Sequence, residues 1–176
     1  MPVKTVGRSA AAAFQRKTFE EELIEHGCIV FTNKGKSMMP ILREDRDLMV
    51  IQRRMLNEDG SLLRCKKYDA VLYKRGDKYV LHRILKVLSE GYVICGDHNY
   101  RREYDIREEQ ILGVLTAFVR DGKEISVTDK RYLCYVHLWC DFFYIRAFLL
   151  RLRILIGRLK EKLKQKYAHV KKQAED

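Results

Sequence analysis

The central part of the chain, residues 28–127, limits most narrowly what the chain can fold into. Short runs rich in Val, Ile, Leu and Tyr alternate there with Gly, Asp and Asn, which is the pattern of β-strands separated by turns. The pattern predicts strands over 28–32, 47–52, 70–74, 78–88, 92–95 and 111–120. Arg75-Gly76-Asp77 and Asp121-Gly122 have the composition of tight turns, and the second precedes a short strand over 124–127. We therefore expect a mainly β, antiparallel body.

Helical patterns flank this body on both sides. Residues 10–26 are rich in Ala, Glu and Lys, contain no Pro or Gly, and stop at Gly27, which is typical of a helix with a glycine C-cap. After the body, Thr128 or Asp129 is suited to cap a long helix that reaches about residue 167. The sequence thus predicts an N-terminal helical segment over 1–27, a β-rich domain over 28–127 and a C-terminal helix over 128–176. A chain of 176 residues suffices for one domain with a substantial core.

The predicted C-terminal helix carries apolar residues at steps of three and four, which places them on one stripe. The stripe comprises Ile145, Phe148, Leu149, Leu152, Leu155, Ile156, Leu159 and Leu163. Packing on the β body or on a second copy of the helix is the simpler interpretation. Binding at a membrane surface, with Arg151, Arg158 and Lys162 at anionic headgroups, is the alternative. A weaker apolar strip, formed by Phe143, Ala147, Leu150 and Ile154, makes the helix more apolar than packing on one side requires.

Composition indicates a cytoplasmic protein. The net charge is +11, and residues 131–176 hold eleven Lys and Arg against four Asp and Glu. The sequence has neither a signal-peptide pattern nor a run of ~18 uncharged apolar residues, as a membrane span needs. Five cysteines without a C-x-x-C pair indicate reduced thiols, not a zinc ribbon or a disulfide framework. Peripheral attachment to the inner face of the membrane, through the basic C-terminal helix, stays open.

One turn, residues 35–40 (GKSMMP), places the hydroxyl of Ser37 between a glycine and a proline. It is not a phosphate-binding loop, because Val30 stands where that motif needs its first glycine. It is not a G-x-S-x-G elbow either, because Met39 stands at the second glycine. Serine is a weak nucleophile alone, so the interpretation also requires a base, a group that orients the base, and an oxyanion donor. The strand-like run 80–84 (VLHRI) offers His82 as that base.

Three sequence boxes support this interpretation. The first is 35–42 (GKSMMPIL), followed by acidic residues at 45 and 47; the second is 68–71 (YDAV), leading by a hairpin to 81–84 (LHRI). The third is 91–99 (GYVICGDHN) with Asp105, ending in 110–114 (QILGV). Over about residues 28–120 their order and spacing resemble the signal peptidase family and its soluble relatives, within a clan that includes self-cleaving repressors. The resemblance implies a signal-peptidase-like fold and a serine endopeptidase.

The resemblance also implies a role for each matching residue. Ser37 corresponds to the nucleophile and His82 to the base, at a position where bacterial housekeeping members have lysine and the eukaryotic reticulum and archaeal branch has histidine. Asp105 corresponds to the acid that orients the base, with Asp97 as the second candidate. Histidine suits this role because its ordinary pKa of ~6.5 lies near neutrality.

The same resemblance assigns the oxyanion to the backbone N–H of Ser37, assisted by the backbone of Gly35. Some relatives have a hydroxyl at the position of Gly35, so backbone donors must suffice here. Met38 and Met39, next to the nucleophile, are expected to contact the substrate. No cofactor and no metal are predicted, because no Cys, His and Asp companions stand at ligand spacing.

The predicted substrate is a leader or signal-like segment of a peptide or protein precursor, bound in extended form with small side chains favoured next to the cut, as in the family. A non-catalytic peptide-binding module, with the C-terminal helix as its assembly or membrane element, is the alternative. A nucleic-acid-binding regulator is the third interpretation. No helix-turn-helix pattern precedes Ser37, and the basic excess lies in one apolar helix, so no nucleic acid is expected as a partner.

Overall fold

An antiparallel β-sheet forms the body of the protein. The computed structural model describes residues 18–175, with side chains up to residue 165. In this part of the chain eight strands are present: β1 Cys28–Thr32, β2 Leu48–Arg53, β3 Ala70–Arg75, β4 Lys78–Leu88, β5 Gly91–Cys95, β6 Glu103–Ile106, β7 Ile111–Arg120 and β8 Lys123–Ser126. They lie in the order β1-β2-β7-β3-β4-β5-β6, with β8 beside β7, and every pairing is antiparallel. The mainly β, antiparallel prediction is confirmed.

Strand positions follow the sequence pattern closely. The structure has β1, β4 and β7 at the predicted bounds, and the other predicted strands begin and end within one residue of theirs. Strand β6 and the short 3₁₀-helix Glu108–Gln110 were not predicted. Strand β6 lies at the edge of the sheet and has the sequence EYDI, in which only Ile106 is buried, so it lacks the apolar run by which the longer strands were predicted.

Helix α1, Phe19–His26, precedes β1. The Thr18 side chain accepts from the backbone N–H of Glu21, and the Glu21 side chain accepts from the backbone of Thr18, which forms a capping box. Gly27 ends the helix with a φ of 72°, a left-handed conformation that glycine adopts readily. The predicted helix is therefore confirmed over 19–26, and its residues 10–17 lie outside the described part of the chain.

The predicted long C-terminal helix is confirmed, but a separate helix precedes it, so the predicted continuity from residue 128 onward is wrong. Helix α2 spans Lys130–Asp141 and helix α3 spans Phe143–Glu175, with a 77° bend between them. The break lies at Phe142, whose φ of −93° and ψ of 32° depart from helical values. In residues 18–165 neither helix alone has the length and apolar content of a membrane span, and only the bent pair taken together reaches them.

Both helices contact the β body. Helix α2 contributes Tyr132, Val136 and Cys140 to the main hydrophobic cluster, together with residues of β2, β3, β7 and α1. The first turns of α3 pack through Phe143 and Ala147 against Cys95. The predicted sequence boundary at residue 127 therefore separates two segments that share one core.

The core also fixes the turn between β1 and β2. Met38 and Leu42, which lie in this turn, are 1% and 0% exposed and belong to the main cluster.

A second hydrophobic cluster lies on the other face of β3. It comprises Cys65, Val71, Tyr73, Ile84, Tyr92, Ile94, Ile106 and Ile111. Alternate residues of β3 thus face the two clusters, as the period of a strand requires.

Candidate active site

Ser37 lies in the turn that follows β1. The buried side chain of Asn33 donates from Nδ2 to the carbonyl oxygen of Gly35 at 2.7 Å, which fixes the backbone just before the serine. Met38 and Leu42 anchor the other side of the turn in the core. Ser37 itself is half-buried. Met38 was predicted to contact the substrate, but its side chain is buried in the core and cannot do so in this structure. Met39, the other predicted contact, is half-buried and so is partly accessible.

His82 lies on β4, opposite Val71 of β3, and is 3% exposed. Gly96, the residue after β5, lies between His82 and Ser37. A Cβ atom on Gly96 would lie 2.6 Å from the carbonyl oxygen of Ser37 and 2.9 Å from Nε2 of His82. The next turn is tied to the serine, because the backbone N–H of His98 donates to the Ser37 carbonyl at 2.7 Å. The structure thus brings Ser37 and His82 together across a glycine.

The Ser37 hydroxyl makes no hydrogen bond to any side chain that the structure describes. The neighbour of His82 Nε2 is instead Nδ2 of Asn99, at 3.5 Å. A nucleophile and its base are often this loosely arranged before the substrate binds. For Ser37 to transfer a proton to His82, its hydroxyl would have to move onto Nε2.

Glu103, on β6, provides the acid next to His82. Its Oε1 lies 2.9 Å from Nδ1 of His82. Its Oε2 accepts hydrogen bonds from the Tyr73 hydroxyl at 2.8 Å and from Arg75 at 2.9 Å. The Tyr73 hydroxyl is also 3.3 Å from Nδ1. Glu103 is thus oriented by two donors while it faces the imidazole.

Asp105 does not occupy the predicted position beside His82. It is exposed, and its φ of 58° lies in the left-handed region, which interrupts the alternation of side chains along β6. The prediction that Asp105 is the acid beside His82 is therefore wrong, and Glu103, two residues earlier, occupies that position. Sequence analysis missed Glu103 because neither the box pattern nor the strand pattern singled it out.

Asp97, the second candidate, also does not face His82, because its carboxylate binds other side chains. Both of its carboxylate oxygens accept from Arg83, at 2.9 and 2.7 Å, and both side chains are fully buried. The hydroxyl of Tyr135 donates to the same carboxylate at 3.2 Å, and the indole N–H of Trp139 donates to the Asp97 carbonyl at 2.7 Å. Asp97 therefore braces the loop of residues 96–99 and does not contact Nδ1 of His82.

The electrostatics of the site favour a neutral imidazole. Burial lowers the pKa of His82 below its ordinary value, although the charge and hydrogen bond of Glu103 act in the opposite direction. Burial would raise the pKa of Glu103, but the hydrogen bonds from Tyr73 and Arg75 and the charge of His82 lower it overall. At neutral pH an ionised Glu103 accepts the Nδ1 proton of His82. The lone pair of Nε2 is then left on the side of Gly96 and Ser37.

The backbone donors next to Ser37 differ in availability. The N–H of Gly35 donates to Oδ1 of Asn33 at 3.4 Å. The N–H of Ser37 has no acceptor within the described residues. Of the two predicted oxyanion donors, the Ser37 N–H is therefore free to bind an oxyanion, whereas that of Gly35 is engaged.

A cleft of about 480 Å³ opens next to Ser37. Residues 31–35 line one wall and residues 78–81 of β4 line the other. Strand β1 pairs with β2 alone, and β5 pairs with β4 only from Arg83 onward. Within the described chain both walls thus present a strand edge without a β partner. At one end the ring of Phe19 of α1 packs at a tilt against the rings of Phe31 and Tyr79, with centroid distances of 4.6 and 4.9 Å.

Among the side chains that the structure describes, no group of three or more His, Cys, Asp and Glu could hold a metal ion.

Comparisons with known proteins leave the family undecided. No protein-family model matches the chain, and neither the curated proteins nor the solved structures provide a match. The resemblance to signal peptidases therefore depends on the three sequence boxes.

Proposed function

We propose that the protein is a serine endopeptidase of the signal-peptidase type, which cleaves a leader or signal-like segment from a peptide or protein precursor. The observation that carries this proposal is the arrangement of Ser37, His82 and Glu103. His82 is buried, its Nδ1 faces an acid, and its Nε2 faces the glycine that adjoins Ser37. A base oriented by an acid and placed beside a serine is the arrangement that activates a hydroxyl.

The proposed reaction proceeds through an acyl-enzyme. Ser37 Oγ attacks the scissile carbonyl while its proton passes to Nε2 of His82, and Glu103 stabilises the imidazolium that forms. The backbone N–H of Ser37 binds the oxyanion. When the tetrahedral intermediate collapses, the C–N bond breaks and His82 returns the proton to the leaving amine. A water molecule, deprotonated by His82, then attacks the ester carbonyl and forms a second tetrahedral intermediate. When this intermediate collapses, the C–O bond to Ser37 breaks, the new carboxylic acid is released, and His82 returns the proton to the Ser37 oxygen.

The cleft supports an extended peptide as substrate. The free edge of β1 and the first half of β4 both line it, so a peptide placed between them gains backbone hydrogen bonds from strand addition. Backbone hydrogen bonds bind a peptide of almost any sequence, so selectivity must come from the side chains of the cleft. Small residues next to the cut are expected from the family resemblance.

Mass spectrometry of candidate precursor peptides, incubated with the protein, tests the proposal. Wild type should give one internal cut, and Ser37→Ala and His82→Ala should each abolish it. Ser37→Ala is a clean variant because the hydroxyl makes no hydrogen bond to the described residues, so the fold should persist. Cleavage that survives both substitutions would disprove the serine mechanism. Peptide binding without cleavage by wild type would instead support the alternative, a non-catalytic peptide-binding module.

A further inference from the structure

Helix α3 presents a long apolar stripe that nothing in the described chain covers. The eight stripe residues are 40–67% exposed: Ile145, Phe148, Leu149, Leu152, Leu155, Ile156, Leu159 and Leu163. The weaker strip of the same helix, with Phe143 and Ala147, is the one that packs on the β body. At 1.5 Å per residue, the exposed stripe is about 27 Å long. A continuous apolar surface of this length indicates a binding partner.

Basic residues flank the stripe on both sides. With 3.6 residues per turn, the six cations lie about 80–120° from its middle. Arg151, Arg158 and Lys162 are on one side, and Arg153, Lys160 and Lys164 are on the other. The guanidinium of Arg151 also lies over the Tyr100 ring, 5.0 Å from its centroid. The one acidic residue between 143 and 165, Glu161, lies on the opposite face of the helix.

This distribution of charge distinguishes between the two partners that an apolar helix face most often has. A second copy of α3 would place the flanking cations of one helix against those of the other, with no acidic residues to pair with them. A bilayer with anionic lipids accepts the apolar stripe at its acyl boundary and the cations at its headgroups.

We infer that α3 lies in the surface of a membrane that contains anionic lipids. The stripe residues enter the acyl boundary and the six flanking cations contact the headgroups. The inference depends on α3 alone and does not require the proposed peptidase activity.

Membrane binding of α3 would hold the candidate active site near the bilayer. In the first turns of the helix, Arg146 donates to the carbonyl oxygen of Asn99 at 3.2 Å. The side-chain amide of Asn99 is the group that lies 3.5 Å from Nε2 of His82. Through these contacts the first turns of α3 are attached to the loop of residues 96–99, which lies beside His82, the proposed base.

Vesicle flotation of the full chain tests the inference, with Leu152→Asp and Ile154→Asp as a matched pair. The two residues are similarly exposed, at 40% and 43%, but Leu152 lies in the stripe and Ile154 lies on the other side of the helix. Each variant adds one negative charge, which lowers binding to anionic vesicles about fivefold. Only Leu152→Asp also removes an inserted side chain, so it should bind at least tenfold more weakly than Ile154→Asp.

Wild type should float with phosphatidylcholine vesicles that contain phosphatidylglycerol and should not float with phosphatidylcholine alone. Added salt should release it, because salt screens the headgroup contacts. Equal effects of the two variants, or no binding to the anionic vesicles, would overturn the inference. So would a dimer in light scattering that Leu152→Asp dissociates, since a second copy would then cover the stripe.

Discussion

Replacing Glu103 with glutamine keeps the shape of the side chain but removes the charge that faces His82. In the wild type Oε1 is 2.9 Å from Nδ1, and the side chains of His82 and Glu103 are 4% and 23% exposed. In the proposed reaction, proton transfer from Ser37 turns His82 into an imidazolium, which the carboxylate stabilises and an amide does not. The amide can also present an N–H to Nδ1, which favours the tautomer whose Nε2 carries the proton and cannot accept one.

The magnitude follows from the geometry. Two unit charges about 4 Å apart interact by about 4 kcal/mol at the effective dielectric of a protein near its surface. A loss of this size corresponds to a decrease of about 10³-fold in turnover. The wrong tautomer adds to the loss, since the same change of acid to amide in a serine protease costs about 10⁴-fold. We therefore expect Glu103→Gln to lower kcat by about 10³–10⁴-fold.

The assay is cleavage of a precursor peptide, with kcat followed across pH. Asp105→Asn is the matched control, because it makes the same change two residues away on an exposed side chain, and it should leave kcat within about twofold of the wild type. The charge of Glu103 raises the pKa of His82, so the residual activity of Glu103→Gln should persist to lower pH than that of the wild type. Equal losses in the two variants, or a large loss only in Asp105→Asn, would refute the assignment of Glu103.

Three further predictions concern the surroundings of the site. Gly96→Ala should lower kcat by about 10²-fold, because the added Cβ displaces Ser37 or His82, and unchanged kinetics would contradict the close approach. Asp97→Asn should lower the free energy of unfolding in urea by about 3–5 kcal/mol, since it leaves Arg83 buried without a charged partner; a loss below about 1 kcal/mol would exclude the bracing role. Burial lowers the pKa of His82, so kcat/KM should fall with decreasing pH only below the ordinary imidazole value of ~6.5, and a fall that begins above it would exclude His82 as the base.

The sequence could predict those strands that form runs of five or more residues rich in Val, Ile, Leu and Tyr, bounded by turn residues. Strands β1, β4 and β7 have such runs, and the structure reproduces their predicted bounds. The sequence could not predict the break at Phe142, because the buried residues on either side of it continue one pattern with steps of three and four. These residues are Tyr132, Val136, Cys140, Phe143 and Ala147. A periodic pattern of this kind continues through a bend, since it records which residues are buried and not the direction of the axis.

The acid of the site was beyond prediction for a different reason. Where Glu103 lies relative to His82 depends on the registers of β4 with β5 and of β5 with β6, and both pairings contain an irregularity. A shift of one residue exchanges the two faces of a strand, so each irregularity changes which acid faces the histidine. The sequence boxes single out Ser37 and His82 as candidates because the chain itself places each in a distinctive local pattern.

The helices that follow the sheet also determine how the chain can be shortened. Tyr135 and Trp139 of α2 donate to Asp97, and Arg146 of α3 donates to Asn99, so three side chains beyond residue 127 hold the loop next to His82. A fragment ending at residue 127 would retain the sheet residues of the site but lose every one of these contacts. The shortest fragment suitable for crystallisation must therefore extend through Arg151, whose guanidinium lies over the Tyr100 ring, while the remainder of α3 can be removed to eliminate most of its exposed apolar surface.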